Sequence, residues 1–354
     1  MTSSRADAFD LANRVTIEVG TCSIRALRGY TIAAALLDEV AFWRDENSSD
    51  PDVEVISSIR PGMLTIPGAM LLCASSPYAK RGALCDTYRR HWAKDHAPVL
   101  VWKATTRQMN PSVPQADIDA AMDADPARAT AEYLAEFRSD IETFLSREAI
   151  EACVSPGVSA RMPLNSLQYV GFVDPSGGSS DSMTLAICHA ETPAGQNRVI
   201  VLDTITERQP PFSPEAVAEE FAELLKRYRV HTVHGDRYAG EWPREQFKKR
   251  GIQYIAAAKP KSDIFLELLP QINSRSVDLL DHPKLINQLV SLERRTARGG
   301  RDSIDHAPGA HDDVANAVAG AIWLAASRSA IPIVCPEIFT IPRRAQFEPD
   351  YTWK

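Results

Sequence analysis

From Leu167 onward the chain alternates apolar runs with amphipathic ones, and two of the apolar runs stop on an aspartate. "QYVGFVDPSGG" ends its apolar part at Asp174, and "SMTLAICHAE" and "RVIVLDTITE" follow, rich in Val, Ile, Leu and Thr; the three read as strands joined in antiparallel hairpins. Pro214 to Tyr228, "PEAVAEEFAELLKRY", opens with Pro and Glu and sets Val217, Phe221, Leu224 and Leu225 on one helical face. "VHTVHGDRYAG" then supplies a short strand ending at Asp236, and a strand reached through a helix is expected to lie parallel to its neighbour. The pattern predicts an α/β fold with a mixed sheet flanked by helices. Strand ends are where such folds collect site residues from distant parts of the chain.

A third acidic position lies in "PGAHDDVANAVAGAIWLAAS", Pro308 to Ser327. Val314, Ala317, Val318, Ala321, Leu324 and Ala325 recur at helical spacing, and Ala317 and Gly320 would let this helix approach a sheet closely. Carboxylates in a first turn can cap free N–H groups and complement the helix dipole, which is one use for the Asp312–Asp313 doublet. On a helical wheel Asp313 heads the apolar face through Ala317, Gly320 and Leu324, whereas Asp312 heads the side carrying Asn316, Ala319 and Trp323. An inward Asp313 needs a positive partner. Three converging carboxylates repel one another unless divalent cations neutralise them, and an all-oxygen set favours magnesium or manganese over zinc. Asp174, Asp236 and Asp313 are therefore the candidate metal ligands, with Asp312 the alternative for the third place. Asp181 is either a support to this site or a turn residue, and His311 either orients phosphate or lies in solvent.

At 354 residues the chain is too long for one typical core, so two domains are expected. The composition shift near Ser146 to Ser166 suggests an N-terminal domain over 1–150, a linker over 151–166, a second domain over 167–330 and an extended tail over 331–354. The formal charge of −7 argues against a wholly basic nucleic-acid binder but leaves room for local patches. One is "RRTARGGRDSIDHAPGA", where Arg294, Arg295, Arg298 and Arg301 lead into the third acid as a flexible cationic loop; Lys248 and Lys249 either extend that track or form an ordinary solvent-facing helix end. Six cysteines without CxxC or Cys/His spacing suggest neither a zinc site nor a disulfide framework. No apolar run reaches about 18 residues and no signal peptide opens the chain, so a cytoplasmic protein with no membrane partner is expected.

The N-terminal part carries a different pattern. "TIAAALLDEVAFW" is an aliphatic strand closed by Asp38 and Glu39, the Walker B arrangement of P-loop ATPases. "GAMLLCASSPYAKRG" is a second apolar strand, ending at Ser75 and Ser76. The phosphate-cradling GxxxxGK[ST] segment is absent from the sequence, which makes ATP a doubtful cofactor.

"VGFVDPSGG", "VHGDRYAGEWPREQFKKRGI" and "GAHDDVANAVAGA", in this order and spacing, resemble the nuclease domain of the large terminase subunit of tailed bacteriophages. The resemblance covers roughly Leu167 to Ser327, and the segments around Asp38–Glu39 and Ser75–Ser76 resemble the Walker B and coupling motifs of the same family's motor. It implies an RNase H-like nuclease domain preceded by a truncated P-loop-type ATPase domain. It further implies endonucleolytic cutting of concatemeric double-stranded DNA with two Mg2+ or Mn2+ ions, the small terminase subunit and the portal as partners, and a bacterial host cell as the setting. Carried over, Asp174 matches the first catalytic aspartate, Asp236 the second, and the third falls on Asp313 or Asp312. An ATP-driven translocase with its phosphate loop on another chain, and a non-enzymatic DNA-binding remnant, are the competing expectations.

Overall fold

The computed structural model describes residues 3–4, 7–21, 29–45, 48, 50–192, 197–236, 241–296 and 302–328. Elements are numbered in chain order. In the N-terminal part, β1 (Ala34–Leu37) and β2 (Met70–Cys73) form a two-stranded parallel pair, connected through helix α1 (Pro51–Met63) and followed by α2 (Gly82–His91). Three short strands between Ser3 and Glu18 make a separate antiparallel sheet.

Among the described residues the largest sheet has seven strands. They are β4 (Val154–Ser155), β5 (Tyr169–Asp174), β6 (Met183–Glu191), β7 (Val199–Arg208), β8 (Thr232–Gly235), β9 (Gln253–Ala256) and β10 (Val277–Leu280). Their order across the sheet is β9-β8-β5-β6-β7-β10-β4. The hairpins β5–β6 and β6–β7 are antiparallel, while β8 joins β5, β9 joins β8, β10 joins β7 and β4 joins β10 in parallel. Only β6 therefore runs against the rest, and the expected mixed sheet is present. Antiparallel neighbours can be joined directly as hairpins, whereas each parallel step needs a longer crossover.

Helices cover both faces. Helices α3 (Pro214–Arg227) and α4 (Trp242–Lys249) pack Val217, Phe221, Leu225 and Phe247 against Val173, Leu185, Ile187 and Val233. On the other face lie α5 (Lys261–Asn273), α6 (Pro283–Ser291) and α7 (Asp313–Ser327), whose Phe265, Leu268, Leu289 and Val318 meet Val170, Phe172, Cys188 and Leu202. Successive strand residues face opposite layers, which is why Val173 belongs to the first cluster and Phe172 to the second. Helix α7 lies directly on β5 and β6 because residue 320 is glycine: a Cβ there would stand 2.4 Å from the Phe172 ring.

Two expectations change. The stretch 151–166, expected as a linker, contributes β4 to the sheet edge, where Val154 and Ser155 pair in parallel with Leu279 and Leu280 of β10, and Ile150 and Cys153 beside it lie in the main core. In the arginine-rich segment the described parts are strands: β11 (Leu292–Thr296) and β12 (Asp302–His306) pair antiparallel as a hairpin, and β3 (Ile141–Thr143) adds a third strand to it, while residues 297–301 lie outside the described residues. Glu293 of β11 is fully buried and accepts hydrogen bonds from Tyr78, Arg81 and Arg295, which ties the N-terminal part to the hairpin.

Candidate metal centre

The sheet brings the first two acids together. β5 and β8 are parallel neighbours with Val173 opposite Gly235, so the next positions, Asp174 and Asp236, stand side by side where both strands end. Alternation turns both toward the α7 face, since Phe172, two residues before Asp174, packs in that layer. The backbone carbonyl of Asp236 accepts a 3.0 Å hydrogen bond from Tyr254 Oη of β9. Gly235 makes room for it, as a Cβ there would lie 2.6 Å from the Val173 carbonyl and closer still to the Tyr254 hydroxyl.

Helix α7 starts above this pair and delivers the doublet. Burial pushes the Asp174 carboxyl well above the usual carboxylate range; a hydrogen bond from Asn316 opposes that, and the charges of Asp313, Asp312 and Asp236 push it further up. Asp174 retains some solvent contact at the mouth of the site, but protein surrounds it densely enough for these effects to act. Asp313 is held up at about 6, first by burial and then by Asp312, with His311 opposing and Asp181 adding repulsion. Asp174 therefore stands in the field of the other three carboxylates.

The doublet does not cap its helix. Asp312 occupies the N-cap position but makes no side-chain capping hydrogen bond. The Ala315 N–H, free in the first turn, is met instead by Gln288 Oε1 of α6 at 2.9 Å. The wheel placed Asp313 inward, whereas Asp312 is the more buried, at 5% exposure. The wheel fails here because α7 is enclosed on nearly every side from Val314 to Ala325, so no single face marks the interior. Asp312 is balanced by Lys261 at the start of α5: its ammonium lies 2.9 Å from Asp312 Oδ2, off the line of a hydrogen bond, and 2.9 Å from Asp305 Oδ1. Asp305, His306 and Asp312 also bring three ligand atoms within 4.8 Å of one another, a cluster able to hold a metal ion.

The remaining sequence candidates divide clearly. His311 Nδ1 and Asp181 Oδ1 stand 3.6 Å apart at the rim, both acting on Asp313. Arg294 lies over the Phe144 ring and 3.5 Å from Asp302, and Arg295 binds Glu293 and the His306 carbonyl, so both are engaged within the hairpin and its sheet. Arg298 and Arg301 lie outside the described residues, as do Arg237 to Gly240 and the tail over 331–354. Lys248 and Lys249 are exposed at the end of α4. In the N-terminal part, Ser75 Oγ donates to Glu39 Oε2 at 3.3 Å and accepts from the Ala41 N–H, while Asp38 and Glu39 are exposed and Ser76 is half-buried.

Sequence reasoning missed Asn316, Lys261, Gln288, Asp305 and His306. Asn316, three residues after Asp313, is 2% exposed and carried a usable signal as an amide inside an otherwise apolar helix. Lys261 and Gln288 carried none, because their partners are distant in sequence.

No family model matches this chain, and no curated protein matches it. Among solved structures, the HK97 bacteriophage large terminase is 16% identical over 92% of this chain and 77% of its own, with a TM-score of 0.42. The large terminase nuclease of thermophilic phage G20c, with bound magnesium, is 13% identical over 51% of this chain and 98% of its own, with a TM-score of 0.42. Likeness at this level fixes neither site nor activity. Among the described residues, no helix is long and apolar enough to cross a membrane.

Proposed function

We propose that this chain is a metal-dependent endonuclease acting on double-stranded DNA, of the RNase H-like kind found in the large terminase subunit, with Asp174, Asp236 and Asp313 as its metal ligands. The observation that carries the reading is the convergence at one sheet edge of acids from β5, β8 and α7, where the charges of Asp313, Asp312 and Asp236 add to burial in raising Asp174. Such a set is costly without cations, and its hard oxygen donors suit Mg2+ or Mn2+. The three segments that resemble the terminase nuclease are the same three that meet there, and the mixed sheet with one reversed strand supports the fold assignment.

When bound, a pair of divalent ions would supply activation of the attacking water and stabilisation of the leaving oxygen. The chain's own residues do the positioning. Asn316 steadies the Asp174 carboxylate, Tyr254 fixes the backbone at Asp236, and Gln288 serves the helix start so that neither acid of the doublet is consumed as a cap. Lys248, Lys249 and the hairpin would then carry duplex DNA to the site, and the small terminase subunit and portal would be its partners inside a bacterial cell. In the N-terminal part, Ser75 meets Glu39, as the resemblance to Walker B and coupling motifs leads one to expect. The test is cleavage of supercoiled plasmid by the purified chain. Nicking that needs Mg2+ or Mn2+, stops with chelator and ignores ATP is expected; cleavage that survives chelation would refute the assignment.

A further inference from the structure

Beside the three aspartates, a side-chain ammonium stands where a cluster of ligands would hold an ion. Lys261 Nζ lies 2.9 Å from Asp305 Oδ1, at the end of β12, and 2.9 Å from Asp312 Oδ2, at the start of α7. With His306, these are the residues whose ligand atoms fall within 4.8 Å of one another. The lysine is not a loose surface cation: its side chain is 27% exposed, and the next residue, Ser262, accepts the Ile304 N–H through Oγ at 2.9 Å, pinning the first turn of α5 to the same strand. Losing that ammonium would leave Asp312, almost fully buried, without the cation that faces it, which is far more costly than losing a surface pair. An ammonium offers hydrogen bonds and one charge but accepts no ligand, so it and a divalent ion compete for the same oxygens.

We propose that Lys261 is a resident ammonium that keeps divalent ions out of the Asp305–His306–Asp312 cluster and, by engaging Asp312, leaves Asp313 as the acid of the doublet that faces Asp174 and Asp236. The first half stands on the lysine geometry alone; the second rests on the proposed metal centre. Lys261 is thus a positioning residue, and it also links the hairpin to the helix that delivers the third acid. A Lys at this place separates two neighbouring acidic groups into one that binds metal and one that is already neutralised. The doublet is accordingly two residues with two tasks.

The test counts Mn2+ ions bound per full-length chain by titration calorimetry at neutral pH. Lys261→Met should bind one more ion than the unmutated chain, and Lys261→Arg, which restores the charge, should return to the original number. Adding His306→Ala to Lys261→Met should remove the extra ion. An unchanged number in a folded Lys261→Met chain, or an extra ion that His306→Ala leaves in place, would overturn the proposal. Should Lys261→Met fail to fold, Lys261→Gln keeps donors toward both carboxylates and makes the same prediction. In the unmutated chain, a crystal soaked in Mn2+ that showed an ion between Asp305 and Asp312, with Lys261 displaced, would overturn it whatever the variants do. Asp174→Asn is the separate control: it should lower the count in every background, and its failure to do so would count against the metal centre and not against the role of Lys261.

Discussion

Strands β5 and β1 are composed alike, an apolar run closed by acid and paired in parallel with a neighbour, yet they end in different worlds. β5 sits in the middle of seven strands with both faces covered, and Asp174 at its end meets three other carboxylates. Among the described residues β1 has β2 as its one strand partner; Leu36 is 75% exposed and Leu72 of β2 is 48% exposed, and Asp38 and Glu39 lie open to solvent. Parallel sheets ordinarily occur with both faces covered, and this pair leaves large apolar side chains in solvent. The difference teaches that an apolar strand ending in an acid is a pattern shared by acids gathered into a cluster and acids left open to solvent. What separates them is whether other elements converge on the acid and bury it.

The sharpest way to break that contrast is to remove the acid from each strand. Asp174→Asn should lower metal-dependent plasmid cleavage by at least about a hundredfold, as loss of a ligand exceeds the ~10–100-fold typical of residues that merely orient one. Glu39→Gln should leave cleavage unchanged. Equal losses in both would mean that the two strands serve one activity, and the contrast drawn here would fail.

The packing of the two strands gives the next largest effect. Gly320→Leu forces atoms into the Phe172 ring, already only 2.4 Å from where a Cβ would stand, and overpacking of this kind costs about 1–3 kcal/mol. Leu36→Ser, on the exposed face of β1, should stay within about 0.5 kcal/mol of the unmutated chain in a denaturant titration. A large loss at Leu36 would show that β1 is covered in solution.

The smallest effect concerns DNA. Lys248→Ala with Lys249→Ala should flatten the slope of log affinity against log salt by about 1.8, at about 0.9 for each phosphate contact removed. Arg295→Ala should instead lower stability, because it takes one partner from the fully buried Glu293. A flattened salt slope with undiminished stability in Arg295→Ala would return that arginine to the DNA path.

Much of this architecture was legible in residue pattern. The strand ending at Asp174, the antiparallel hairpins, the helix from Pro214 and the small-residue helix from Asp313 follow from local periodicity, and the structure has them, while the strand expected to end at Asp236 stops one residue earlier, at Gly235. Gly320 was legible for the same reason, since small residues on a helix face permit close packing. The electrostatic partners were not. Lys261 precedes Asp305 by 44 residues and Gln288 precedes Ala315 by 27, and no local pattern couples such positions. The inward member of the doublet was misassigned because a helix buried all round gives the wheel no contrast. Arg294 and Arg295 read as part of a cationic loop because their partners Asp302 and Glu293 take effect only once the strands pair.

The most direct test of the central claim is anomalous diffraction from crystals of the full chain soaked in manganese chloride. The account predicts Mn2+ peaks held by Asp174, Asp236 and Asp313, with Lys261 still between Asp305 and Asp312. Manganese at Asp305, His306 and Asp312 alone, with the Asp174–Asp236 edge empty, would contradict it.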